Sequence, residues 1–238
     1  MQVLSQGRPN PATTRATARA VGILILVGYL AYGPAQAMVT SMLEGTDALA
    51  AADITLLGIA AIGMLVNSAA VIGIGVLMFT VARPYGEGVA LSYLATRVFE
   101  AILLAVGVVF VLLQVPIAQE AAAGGSSMQA LSGVALEGTL FAYQVAMIGL
   151  GVGSIPLWVL AYRTRLVPRA LAALGILGYA VFAIGAGLEM VGIQVGLMLS
   201  VPGGIFEVAV AIWLIARGFS TSSVAPVVNR ADSMAVAS

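Results

Sequence analysis

Hydrophobic residues run in six long blocks along the chain, and polar residues gather in the short intervals between them. The blocks are roughly Ala20–Val39, Ile54–Val81, Val89–Val115, Thr139–Tyr162, Ala170–Val191 and Val195–Ala216. Each reaches the roughly 20 mostly apolar residues that a helix needs to cross a bilayer. None alternates between polar and apolar positions as the strands of a membrane barrel do. The pattern predicts an all-α polytopic membrane protein, a bundle of six transmembrane helices. Its expected parts are a cytoplasmic N-terminal segment over 1–19, the membrane domain over 20–217, and a mobile cytoplasmic tail over 218–238.

The polar intervals assign an orientation. Arg8, Arg15 and Arg19 precede the first block, Arg83 follows the second, Arg163, Arg165 and Arg169 separate the fourth and fifth, and Arg217 and Arg230 follow the sixth. The alternate intervals carry Glu44, Asp47, Asp53, Glu120 and Glu137, and no arginine. Positive residues mark the cytoplasmic side, so both termini are expected in the cytoplasm. Tyr85, Trp158, Tyr162 and Trp213 are expected to form an aromatic belt at that interface. Residues 1–37 also resemble a secretory signal ending at Ala35-Gln36-Ala37. The apolar stretch continues through Met38-Val39, so the first block is expected to be retained as a span. The interval from Ile117 to Gly138 has little charge and is expected to be an external loop, with room for a short surface helix.

Composition narrows the chemistry. Apolar residues make up 61% of the 238 residues and charged residues 8%, against about 25% charged in soluble domains. The formal net charge is zero, so no nucleic-acid partner is expected. Cysteine, histidine and lysine are all absent. No disulfide, thiol nucleophile, histidine-based catalytic triad, ordinary zinc or haem site, or lysine Schiff base can therefore be built. No metal or cofactor is expected, and no catalytic residue is assigned.

Glycine is dense inside the blocks. Gly149 and Gly153 have the GxxxG spacing that lets helices approach closely, read here as packing within one bundle. Pro34, Pro156 and Pro202 should bend their helices, and Pro202-Gly203-Gly204 is the expected break.

Ionisable groups at membrane depth are expensive and default to functional hypotheses. Arg97, Glu100 and Glu207 are the three. At 1.5 Å per residue they lie about 12, 16 and 15 Å from the arginine-bearing ends of their helices, a spacing that lets them meet. Ser92, Tyr93, Thr96, Arg97 and Glu100 share one face of the third helix. Asn67, beside Ser68, is the deep polar group of the second; Tyr143 and Gln144 should lie toward the external half. Gly203 and Gly204, one turn from Glu207, leave room for a side chain or a ligand. The expected binding site is Arg97, Glu100, Glu207, Thr96 and Asn67. With two carboxylates to one arginine, a converged cluster carries either an excess negative charge or a proton. The alternative is a structural ion pair between helices. Phe99-Glu100 and Phe206-Glu207 recur in the third helix of each three-helix half, a hint of the inverted repeats found in transporters. Arg163, Arg165 and Arg169 are expected to contact anionic lipid headgroups.

Residues Ile155-Pro156-Leu157, Tyr162-Arg163, Leu166-Val167-Pro168-Arg169 and Gly175 through Gly178-Tyr179 resemble the hallmark stretch of a bacterial six-helix family, domain of unknown function 4386. Arg19-Ala20-Val21-Gly22, Arg83-Pro84, Arg97, Glu100, Pro202, Glu207, Trp213-Leu214 and Arg217-Gly218 are similar to its other anchors, over about Arg19 to Phe219. Thr164-Arg165 departs from the Ser-Gly associated with the family there, which bears on whether the turn is tight. The resemblance implies six helices in a bacterial cytoplasmic (inner) membrane and no particular activity. Three readings follow. The first is binding or transport of a small solute, proton or lipid at the Arg/Glu site. The second is a structural subunit partnered with another membrane protein, and the third a membrane enzyme working through Glu100 or Glu207. Membrane lipids are partners in all three.

Overall fold

The computed structural model describes residues 11–43, 51–122, 128–193 and 195–220, and in these it is helical with no strand. Six long helices form: α1 (Pro11–Leu43), α2 (Ala51–Ala82), α3 (Glu87–Ala122), α4 (Met128–Thr164), α5 (Arg169–Met190) and α6 (Val201–Ala216). A short 3-10 turn, Gly196–Ser200, precedes α6. All six are long and apolar enough to cross a membrane, counting that turn's last residues with α6. A helix is the natural outcome for such segments, because lipid offers no hydrogen-bond partner and each backbone group must be satisfied within its own segment.

The helices pack antiparallel in chain order. Each lies mainly against its two neighbours in sequence, and α6 closes on α1, so the bundle is a ring. Glycines set the close approaches. Gly22 of α1 meets the Ala211 carbonyl of α6, Gly63 of α2 meets that of Ala31, and Gly178 of α5 lies against the Gly203 backbone of α6. Gly149 and Gly153 receive Phe99 and Thr96 of α3, so the GxxxG pair packs inside the bundle. The main core joins all six helices, and a smaller one (Ala35, Val39, Leu57, Ala60, Met64, Val108, Val111) joins α1 to α3 at the end away from the arginines.

Several expectations are corrected. Most of Ile117–Gly138 is helical: α3 runs to Ala122 and α4 starts at Met128. Its alanine- and leucine-rich sequence suits helix, and at this level Gln114 and Ser132 tie α3 to α4 by side-chain bonds of 2.7 and 3.1 Å. The sixth helix begins at Val201, later than Val195, because Pro202 is tolerated in a first turn and not in an interior one. The break therefore falls just before Pro202-Gly203-Gly204. Helices α1 and α4 continue through Pro34 and Pro156. Trp158 is not in an interfacial belt; it is 5% exposed, with its ring edge-on to Phe206 at 4.6 Å. Arg8, Glu44, Asp47, Arg230 and the tail from 221 lie outside the described residues.

The connection between α4 and α5 is tight despite lacking glycine. The Leu166 N–H donates to the Ala161 carbonyl at 3.2 Å, closing a Schellman-type cap, and Arg165 takes the left-handed position at φ 55°. Leu166 and Val167 are buried beneath it, and the Ser220 N–H donates to the Leu166 carbonyl at 2.8 Å.

Candidate functional site

Four helices bring a polar group to one depth, where the side chains meet. Tyr29 lies ten residues beyond Arg19, Arg97 ten beyond Glu87, Tyr179 ten beyond Arg169, and Glu207 ten before Arg217. Ten residues span about 15 Å of helix, half the thickness of a roughly 30 Å hydrocarbon core.

There the side chains form one network around the Arg97 guanidinium. Its Nε donates to the Tyr93 hydroxyl oxygen at 2.8 Å, one Nη donates to Glu100 Oε2 at 2.9 Å, and the other donates to the Tyr179 oxygen at 3.1 Å. Tyr179 passes its own proton on, donating to Glu207 Oε1 at 2.6 Å. Tyr29 donates to Glu207 Oε2 at 2.8 Å. The closest approach of the guanidinium to Glu207 is 3.7 Å. Local helix geometry accounts for half of this: Tyr93, Arg97 and Glu100 stand at spacings of four and three on one face of α3. The rest depends on the ring bringing α1, α5 and α6 around that face.

On the arginine-bearing side of the network lies a cavity of about 10 Å³, room for about one water molecule. All six helices line it, Arg97, Tyr93, Tyr179, Glu207 and Trp158 supplying its polar edges, and Val210 and Leu214 extending it along α6. The Trp158 indole N–H is buried and has no acceptor among the described residues. On the opposite side Tyr32 and Tyr143 stack at 6.2 Å between centroids.

The chain matches the family described as Domain of unknown function (DUF4386) over residues 20–218. It belongs to that family. No curated protein and no solved structure matches it. Within this member of DUF4386, Arg97, Glu100 and Glu207 converge. Thr96 does not join them: its hydroxyl donates back to the Ser92 carbonyl at 2.9 Å and its side chain fills the space over Gly153. Asn67 stands apart as well, its amide oxygen against Gly28 of α1. The room foreseen at Gly203 and Gly204 is occupied, by the α5 backbone at Gly178 and by the Tyr29 hydroxyl. Arg163, Arg165 and Arg169 are exposed near the cap of α4, with the Arg169 guanidinium 5.3 Å from the Tyr162 ring centre.

Phe99 and Phe206 have different surroundings although the glutamates after them meet at one arginine. Phe206 is fully buried against Trp158 and Tyr179, whereas Phe99 is 44% exposed beside Gly149.

Sequence reasoning missed Tyr29, the place of Tyr179 in the cluster and the role of Trp158. The depth rule applied to Arg97 and Glu207 would have found both tyrosines, since each lies the same ten residues from an arginine. For Trp158 no comparable signal exists, because tryptophan near a helix end suits a belt and a core equally well.

Proposed function

We propose that this is a multi-pass protein of the bacterial cytoplasmic membrane, with both termini cytoplasmic, that binds or transports a proton or small polar solute. The Arg97–Glu100–Glu207 centre is the site, exchanging its ligand with the cytoplasm. The observation that carries this reading is the six-helix cavity opening beside a cluster with one more carboxylate than guanidinium. A buried cluster that includes both carboxylate charges needs one further positive charge to be neutral, and a proton or a bound cation supplies it. Arg83 between α2 and α3, and Arg163, Arg165 and Arg169 around the α4–α5 connection, support the orientation, with no arginine between α5 and α6. Exposed Arg163, Arg165 and Arg169 stand where anionic headgroups of that leaflet would lie.

Access of water to the cavity tests the reading. The chain has no cysteine, so single cysteines at Val210 and Leu214, lining the cavity, report without background. Ile212 and Leu177, 57% and 64% exposed on the outside of the ring, serve as lipid-facing controls. Val210 and Leu214 are each 1% exposed, so a membrane-impermeant thiol reagent applied from the cytoplasmic face should label Val210→Cys and Leu214→Cys above the controls through the opening of the ring's cytoplasmic end that the proposed exchange requires. Equal protection at all four positions in folded protein would refute exchange with the cytoplasm and leave the cluster as a structural tie.

A further inference from the structure

The two carboxylates hold the arginine unequally. Glu100 makes the short bond, 2.9 Å, and the side chains of that pair are each 5% exposed. Glu207 stands at 3.7 Å with its side chain 18% exposed, and it borders the cavity, whereas Glu100 does not. Both oxygens of Glu207 rest on neutral hydroxyls, those of Tyr179 and Tyr29.

That difference in partners is a difference in chemistry. A guanidinium only donates hydrogen bonds, so it suits a carboxylate and has nothing to accept from a carboxylic acid. A tyrosine hydroxyl donates or accepts by turning its O–H, so the Tyr29–Tyr179 cradle serves Glu207 with or without a proton. We propose that Glu207 is the proton-exchanging group of this centre, reached through a water seated in the inner cavity, while Glu100 stays as the fixed counter-ion of Arg97. This deepens the binding reading above and rests on it for any role in transport.

The cavity is furnished for that water. It has room for about one molecule, and a buried water typically makes about three hydrogen bonds. The Trp158 N–H lacks an acceptor among the described residues, and the Tyr93 oxygen, already accepting from Arg97 Nε, has its own proton left to give. Glu207, also in the cavity lining, supplies an acceptor. In the exchange step a hydronium loses one O–H bond, an O–H bond forms on a Glu207 carboxylate oxygen, and a neutral water remains. The charged and titratable groups around Glu207 are Tyr29 from α1, Tyr93, Arg97 and Glu100 from α3, Tyr143 from α4 and Tyr179 from α5. The α2 residues lining the cavity, Ile74 and Met78, are apolar.

Infrared difference spectra of the full chain in lipid, recorded between acid and alkaline buffer, test the assignment through the carbonyl band of a protonated carboxyl group. The band should appear in the native protein, shift in frequency in Glu207→Asp, which keeps the charge count, and stay in place in Glu100→Asp. Trp158→Phe should shift its frequency, because the cavity water loses a donor. A shift in Glu100→Asp but not in Glu207→Asp, or the band's absence from the native protein, overturns the assignment. An unshifted band in Trp158→Phe overturns the water. The result stands apart from thiol labelling: a Glu207 band with a cavity closed to the reagent would retain the exchanging carboxylate and remove the transport role.

Discussion

Removing Arg97 and removing either glutamate are not equivalent perturbations, and charge arithmetic on the buried cluster says which is worse. Arg97→Gln leaves two carboxylates facing one another with no cation, and the Glu100 side chain is 5% exposed. Stranding a buried charge by deleting its partner costs about 3–5 kcal/mol. Glu100→Gln leaves one cation and one carboxylate, Arg97 and Glu207, and its amide oxygen still accepts the bond now made at 2.9 Å. Its expected cost is that of weakening one charge-assisted hydrogen bond, about 1–2 kcal/mol. The double variant Arg97→Gln/Glu100→Gln strands one carboxylate, as against two in the single arginine variant. It should therefore be more stable than Arg97→Gln, with a coupling of at least about 1 kcal/mol. Reversible unfolding in mixed micelles by increasing denaturing detergent measures all four corners of the cycle. Equal losses for Arg97→Gln and Glu100→Gln, or additive losses in the double variant, would show that the charges do not act as a unit and would refute the reasoning.

Three further outcomes follow from the same packing and are read by the same unfolding assay. Tyr179→Phe removes a hydroxyl that both accepts from Arg97 and donates to Glu207, so it should cost about 1–3 kcal/mol, while Tyr29→Phe, at a 41% exposed residue with one bond, should cost less; a larger loss at Tyr29 would contradict the network. Gly178→Ala places a methyl group 3.1 Å from the Gly203 Cα, where only backbone can yield, and should cost about 1–3 kcal/mol, whereas Gly187→Ala meets nothing within 4 Å among the described residues and should be neutral or slightly stabilising. Arg165→Gly relieves a side chain held at φ 55° and should stabilise by about 0.5–1 kcal/mol, an increase in Tm that a thermal scan detects; a loss would mean that the Arg165 side chain makes a stabilising contact.

What the sequence revealed and what it concealed divide along a physical line. The six helices were legible because the rule behind them is local and severe: a segment in lipid must satisfy its own backbone, and only long apolar runs are admitted. Arg97, Glu100 and Glu207 were legible for the related reason that charge at depth is costly wherever it occurs. Thr96 and Asn67 were grouped with them on depth and helical face alone, and those criteria do not say which neighbour fills the face. Thr96 satisfies its hydroxyl on its own helix, four residues back, an option open to every buried serine or threonine and invisible to spacing. Tyr29, and the place of Tyr179 in the cluster, escaped notice because a phenol is ordinary in a membrane helix until something charged is placed beside it. The ring supplies that placement. Closing α6 on α1 carries Tyr29 to within 2.8 Å of Glu207, across 178 positions of sequence. The same closure gives Glu207 a partner that accommodates two protonation states, where Glu100, bound locally on α3, has a partner that accommodates one. The distinction between the two carboxylates is therefore tertiary in origin. It is created by which helix ends the ring, and a chain with the same six spans packed in another order would possess the charges without the difference between them.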